Sequence, residues 1–382
     1  MEGAQSSWQR DYNWNMFEIL GNMNKRRKNR YRENVLSTLS TKLYTHSVRS
    51  ILDILITMTT LSFILPVLFS CSTDVPAMEA ETHVRLKSSW SYRNEDISSI
   101  DILTFNDDAL QRMDSYTRIP MNRSDRIRIR SQTGSKLIFA CANCQWDRMQ
   151  WAAAGSYSSL SRIYAELQDE IPGRMLLCGE ERAYAGSTEE AEVELAPIAS
   201  QVILQSIRCD FSETSYPQAR ISDCSVYLTN VNSRCSVLAD DPVMPVHIIN
   251  HAGADESDIA GFADPGIVFR RLDSGIGSSE KRPDIRLLCY PNAGETDGPG
   301  SPFTRLVIEG EIESERYWWP ISINRHEGAH EPGIYRNRCY IYDIVIKRKG
   351  TKDPDLPICS HHAEAVLSTL PWNGMEEYTV GF

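Results

Sequence analysis

Apolar and polar residues alternate along this chain in short runs more often than they form helical stripes. The cleanest run is 82–90, where Val84, Leu86, Ser88 and Trp90 fall on one side and His83, Arg85, Lys87 and Ser89 on the other. Period two over that length predicts a half-buried strand. A polar turn at 91–96 leads to a second strand over 97–105, and Asn106-Asp107-Asp108 turns the chain. Two more strands are predicted over 126–130 and 136–143. In the first of these Ile127 and Ile129 point inward, leaving Arg126, Arg128 and Arg130 as a solvated face. Leu160, Ile163, Tyr164 and Leu167 fall at i, i+3, i+4 and i+7, so 157–169 is predicted as a helix capped by Ser158 or Ser159. A short buried strand at 175–178 and a polar break at 186–190 follow.

Beyond Val193 the pattern is β again, with candidate strands at Ser200–Cys209, 219–230, Ile285–Cys289, 303–312, 316–323 and 338–348. Long Gly/Pro/Asp stretches at 252–266 and 292–302 separate them. Strands at this spacing without intervening helices argue against a parallel α/β sheet. They predict a mainly β protein built of sandwiches.

One apolar run behaves differently. From about residue 54 it continues to Leu68-Phe69-Ser70-Cys71, then turns polar at once at Ser72-Thr73-Asp74. It is short and abruptly ended for a membrane span, and it reads as the apolar region of a bacterial lipoprotein signal peptide. A branched residue and a small residue before a cysteine form a lipobox. Cleavage is therefore expected between Ser70 and Cys71, with lipidation of Cys71. Several acyl chains on one residue anchor a protein firmly where a single chain would not. Residues 1–70, with the basic run Lys25-Arg26-Arg27-Lys28-Asn29-Arg30, read as a signal peptide with an extended n-region. Residues 72–81 are a polar tether.

Setting that segment aside changes the charge. The whole chain carries −11; residues 1–70 hold 9 Lys/Arg against 5 Asp/Glu, so the remaining 312 residues carry −15. So acidic a chain is a poor partner for nucleic acid, whose affinity rests on cationic contacts to phosphate. The length suits two domains.

Nine cysteines remain after Cys71, an odd number: Cys141, Cys144, Cys178, Cys209, Cys224, Cys235, Cys289, Cys339 and Cys359. Most sit in apolar runs, where Cys acts as a small hydrophobe. Cys141 and Cys144 have zinc-knuckle spacing, but no second pair accompanies them.

His326-Glu327-Gly328-Ala329-His330 matches the zinc-peptidase pattern, in which a helix brings both histidines to one face beside a general base. A metallopeptidase acting through His326, Glu327 and His330 is thus an alternative reading. Its context argues against it. A strand runs into the motif, Gly328 interrupts it, and Pro332-Gly333 stops any helix within a turn. Arg336 occupies the position of the third ligand of the extended motif. A second alternative is a lipid-anchored glycan-binding protein using Trp146, Trp151, Trp318 and Trp319. Adjacent Trp318 and Trp319 must face opposite ways in a strand. No catalytic, cofactor-binding or metal residue is assigned.

Taken together, 61–382 resembles the fimbrillins, the lipoprotein pilin family of Bacteroidetes type V pili. The segments 100–108 and 137–143 are similar to the family's opening core strand and to its later Ala-Asn strand. The C-terminal half is the more specific match. There 304–310, 317–321, 333–340, 344–348 and 350–357 recur in order. The long pre-region, the many cysteines and the loops from 239 to 302 depart from the family.

The resemblance implies two transthyretin-like β-sandwich domains, with one or two short helices in the first. The expected segments are the signal peptide (1–70), a lipidated tether with a removable first strand (71–93), an N-terminal domain (94–190) and a C-terminal domain (191–382). It further implies an outer-membrane lipoprotein precursor that a protease cuts after an arginine. The emptied groove would then take a strand from another fimbrial subunit, building an extracellular fimbrium that supports adhesion. Arg93 and Asn94, in an exposed polar turn, are the expected cleavage site. Val84, Leu86 and Trp90 are the groove-filling residues of the lost strand. Tyr378, Val380 and Phe382 share one face of the expected donor strand.

Overall fold

The sequence 79–88 forms a strand, as its alternation requires, with Val84 fully buried and Glu81, His83 and Lys87 exposed. The computed structural model describes residues 78–88, 97–120, 126–146, 148–238, 243–250, 259–295, 297–298, 302–326, 329, 331–356, 358, 362–371 and 378–381. Ser70, Cys71, Trp90, Arg93, Asn94, Glu327, His330 and Phe382 lie outside them.

In the N-terminal part the strands are β1 (Glu79–Ser88), β2 (Ser99–Asn106), β3 (Met113–Pro120), β4 (Arg126–Gln132), β5 (Gly134–Ala142), β6 (Tyr164–Glu166), β7 (Leu177–Ala185) and β8 (Ala191–Pro197). One five-residue helix, α1 (Arg148–Ala152), lies between β5 and β6. Seven of the strands form a sheet in the order β3-β2-β5-β7-β8-β1-β4. The sheet bends where β7 passes to β8, a junction whose register covers only Leu177–Pro197 and Cys178–Ala196. Its two arms enclose a core of Val84, Ile127, Ile129, Val193 and Leu195 from one arm and Ile100, Ile102, Ile138 and Leu177 from the other.

β2 and β5 are buried on both faces. Ile100, Ile102, Ile138 and Ala140 point into that core, while Leu103, Phe105, Leu137 and Phe139 join a second, larger one. This is why β5 reads as a continuous apolar run and β1 as an alternating one.

The remaining strands are β9 (Ser200–Cys209), β10 (Ser222–Thr229), β11 (Val231–Asn232), β12 (Arg234–Ser236), β13 (Ile248–Ile249), β14 (Phe269–Arg271), β15 (Ile285–Cys289), β16 (Arg305–Ile312), β17 (Glu315–Ser322), β18 (Arg338–Ile346), β19 (Ala363–Pro371) and β20 (Tyr378–Gly381). Nine of them build a four-stranded sheet, β14-β10-β16-β17, and a five-stranded one, β15-β9-β18-β19-β20, while β11 pairs with β13 and β12 with β6. Leu228, Leu306, Ile308 and Trp319 from the first share a core with Val202, Leu287, Tyr342 and Ile344 from the second. The chain is therefore mainly β, as the sequence predicts.

Two expectations need revision. The helix predicted at 157–169 is a 3-10 turn at Tyr157–Arg162, the short strand β6, and a second 3-10 turn at Leu167–Asp169. Its apolar spacing is real, since Leu160 and Leu167 are buried. But β6 pairs with β12 seventy residues downstream, and that ladder claims the backbone groups a helix would use. Ser and the β-branched and aromatic residues of this stretch also favour a helix weakly. The second concerns β8. It lies past the polar break at 186–190 yet completes the first sheet, so the change of sheet falls at 198–200.

Candidate functional site: the slot held by the first strand

β1 occupies an interior position although it is the first described strand. It pairs antiparallel with β4, in register Thr82–Ile129 and Val84–Ile127, and parallel with β8, in register Val84–Ala191 and Leu86–Val193. Both of its backbone edges are thereby used. Ala80, Thr82, Val84 and Leu86 face inward, with Thr82 and Val84 buried. At its start the backbone N–H and the hydroxyl of Thr133 both donate to the Met78 carbonyl, at 3.0 and 2.7 Å.

Among the described residues, the outer face is held by exposed ion pairs. Arg85 lies 3.5 Å from Glu192, Lys87 also pairs with Glu192, and Arg130 lies 3.8 Å from Glu81. Hydrogen bonding from Lys87 holds the Glu192 carboxyl below its usual range. Such solvated pairs contribute little. What holds β1 is its two ladders and its apolar face. Were β1 withdrawn, β4 and β8 would each present a row of unpaired N–H and C=O groups, with an apolar trough between them. A strand entering that slot has its polarity set by antiparallel pairing to β4. Its face is set by the need to put alternate apolar side chains inward.

At the other end of the chain β20 pairs antiparallel with β19, in register Tyr378–Thr369 and Val380–Leu367, and forms the edge of the five-stranded sheet. Tyr378 and Val380 are thus paired within the same chain. Arg128 and Arg130 lie exposed on β4, the edge strand beside β1.

The residues weighed for other chemistries are placed elsewhere. β17 runs into the histidine motif, and neither described residue of the motif, His326 or Ala329, is helical. Burial lowers the His326 pKa below its usual value. Arg336 donates to the carbonyls of Ser236 and Val237, tying the 334–337 segment to β12. Among the described residues no group of three His, Cys, Asp or Glu side chains is disposed to hold a metal. Trp151 and Trp319 are fully buried, Trp151 packing edge-on against Trp146 at 5.2 Å and Trp319 donating to the Arg348 carbonyl at 2.9 Å. They form no exposed stacking platform.

The structure also brings together residues that sequence reasoning missed. A cleft of about 840 Å³ opens between the edge strands β14 and β15 and collects Arg270, Arg271, Lys281, Arg282 and Arg286, against Asp273 and Asp284. Arg282 is paired with Glu280 and Arg286 with Asp284. Arg270 and Arg271 have no ion pair among the described residues. Basic residues clustered at 270–286 in so acidic a chain were the available signal.

No protein-family model matches the sequence, and no curated protein matches it. Several solved structures share its fold. A candidate cell adhesion protein from Bacteroides eggerthii DSM 20697 superposes with a TM-score of 0.60 at 15% identity, covering 79% of this chain and 98% of that one. A candidate cell adhesion protein from Parabacteroides distasonis ATCC 8503 does so at 0.54 and 11%, covering 79% and 99%. A fimbrilin from Porphyromonas gingivalis W83 does so at 0.54 and 10%, covering 77% and 97%. At such identities the likeness is one of fold, and in fold this chain is fimbrillin-like over most of its length.

Proposed function

We propose that this protein is a structural subunit of a fimbrium, exported as a lipoprotein through Cys71 and polymerised by exchange of its first strand. The observation that carries this reading is the interior position of β1 between β4 and β8. The first described strand, held in mid-sheet and followed in sequence by a polar segment with an arginine, is suited to removal. Cleavage after Arg93 separates β1 and the lipid from everything downstream. The slot then takes a strand from a neighbouring subunit, trading an intramolecular pairing for an intermolecular one. Repeated head to tail, that contact makes an open filament. The donor is the C-terminal strand of the neighbour, released from β19. The protein's place is the outer membrane as a precursor and the extracellular fimbrium afterwards. Its partners are other fimbrial subunits, and it performs no catalysis of its own.

The test is polymerisation in vitro. Purified chain lacking residues 1–71 is treated with a trypsin-type protease and inspected by electron microscopy. Filaments are expected from the cleaved protein and not from the uncut protein or from Arg93→Ala. Filaments formed equally well by uncut Arg93→Ala protein would overturn the reading.

A further inference from the structure

Cys141 on β5 and Cys178 on β7 are direct cross-strand partners, and their sulfurs lie 3.4 Å apart. Opposed residues of an antiparallel pair have Cα atoms about 4.5–5.5 Å apart. That falls inside the window of about 4.4–6.8 Å a disulfide spans. The ladder register therefore places the two residues within reach of a disulfide. The two thiols differ in access. Cys141 is fully buried, and its pKa is raised well above the ordinary thiol value by burial; Cys178 is half-buried and offers the entry point. Two of the other buried thiols are held differently. Cys209 donates to the Ile276 carbonyl and Cys224 to that of Ile221, and burial pushes them to about 12 and about 11.

We infer that Cys141 and Cys178 form an oxidation site, closing a disulfide that staples β5 to β7 at the corner of the N-terminal sheet. With a small-molecule disulfide such as oxidised glutathione, the Cys178 thiolate attacks one sulfur. A mixed disulfide forms and one glutathione leaves. Cys141, losing its proton, attacks the Cys178 sulfur and expels the second glutathione. Two protein thiols are oxidised and one glutathione disulfide is reduced to two thiols.

The position gives the bond its consequence. Cys178 also pairs with Ala196 of β8, at the junction through which the arm β8-β1-β4 is joined to the rest of the sheet. A bond there fixes β7 while the neighbouring slot is emptied and refilled; that role, though not the bond itself, rests on the strand-exchange reading.

The test is made on purified, uncleaved protein, so it succeeds or fails independently of polymerisation. The chain is equilibrated with oxidised glutathione under native conditions, unfolded, alkylated and digested. A cross-linked peptide pair joining Cys141 to Cys178 is expected. The unfolding midpoint should rise by on the order of 5 °C, the rise disappearing on adding a reductant. Cys178→Ser should abolish both effects, and Cys144→Ser should leave both in place, which covers the case in which the first variant folds poorly. Recovery of Cys141 and Cys178 as free thiols, Cys178 as a stable glutathione adduct, or Cys141 joined to Cys144 would overturn the inference.

Discussion

Tyr290 donates its phenolic hydrogen to Glu170 at 2.9 Å, joining the end of β15 to the loop before β7 across the boundary between the two sets of sheets. Glu170 is almost wholly buried and also accepts from the Leu176 backbone N–H at 3.1 Å. Burial raises its pKa from 4.5 to about 7, the hydrogen bonds offsetting only part of the desolvation. The folded state thus holds this proton more tightly than the unfolded chain. Below pH 4.5 both states are protonated and no penalty arises. As pH rises from there to about 7 the unfolded chain ionises first and stability falls, by up to about 3 kcal/mol. Glu170→Gln should flatten that window in urea titrations at pH 4.5, 6 and 7.5. An unchanged slope would show the carboxyl is not the titrating group.

Lys136 on β5 sits 2.8 Å from Asp114 and 2.6 Å from the Asn106 side chain, with both charged side chains nearly inaccessible. Asp114→Ala leaves the ammonium buried without its counter-charge. The expected cost is about 3–5 kcal/mol of unfolding free energy. Replacing both partners, as Asp114→Leu with Lys136→Met, should recover most of it. A single variant costing no more than an exposed pair would contradict the burial.

The purified protein should bind no stoichiometric zinc. His326 sits in an irregular segment after β17, and Arg336 is committed to the carbonyls of 236 and 237. Elemental analysis finding one equivalent of zinc, lost in His326→Ala, would favour the peptidase reading.

Lipidation at Cys71 predicts that cells expressing the wild-type chain incorporate labelled palmitate into it and that Cys71→Ser leaves an unlabelled precursor. Equal labelling of the variant would remove the anchor.

What was legible in the sequence follows from how each strand is buried. β1 announced itself because one face meets the core and the other water. β9 and β15 were bounded correctly by turns on either side. β3 and β19 were not singled out: the half-exposed β3 carries no strict alternation, and β19 pairs small and polar residues with a few apolar ones. The 157–169 segment misled because its apolar spacing suits a helix while its partner, β12, is distant in sequence. The slot itself was only half visible. Val84 and Leu86 could be placed on one face, but the parallel pairing with β8 that makes β1 interior is a long-range fact that no local pattern carries. The basic cleft was half visible too: its charges cluster at 270–286, but the pattern does not show that β14 and β15, the strands they flank, are edges of different sheets.

The central claim is that β1 is removed before assembly, and the N-terminal sequence of the protein in filaments sheared from cells tests it most directly. A mature chain beginning at Asn94 is predicted, with loss of filaments in Arg93→Ala. Filaments whose subunits still begin at Cys71 would contradict it.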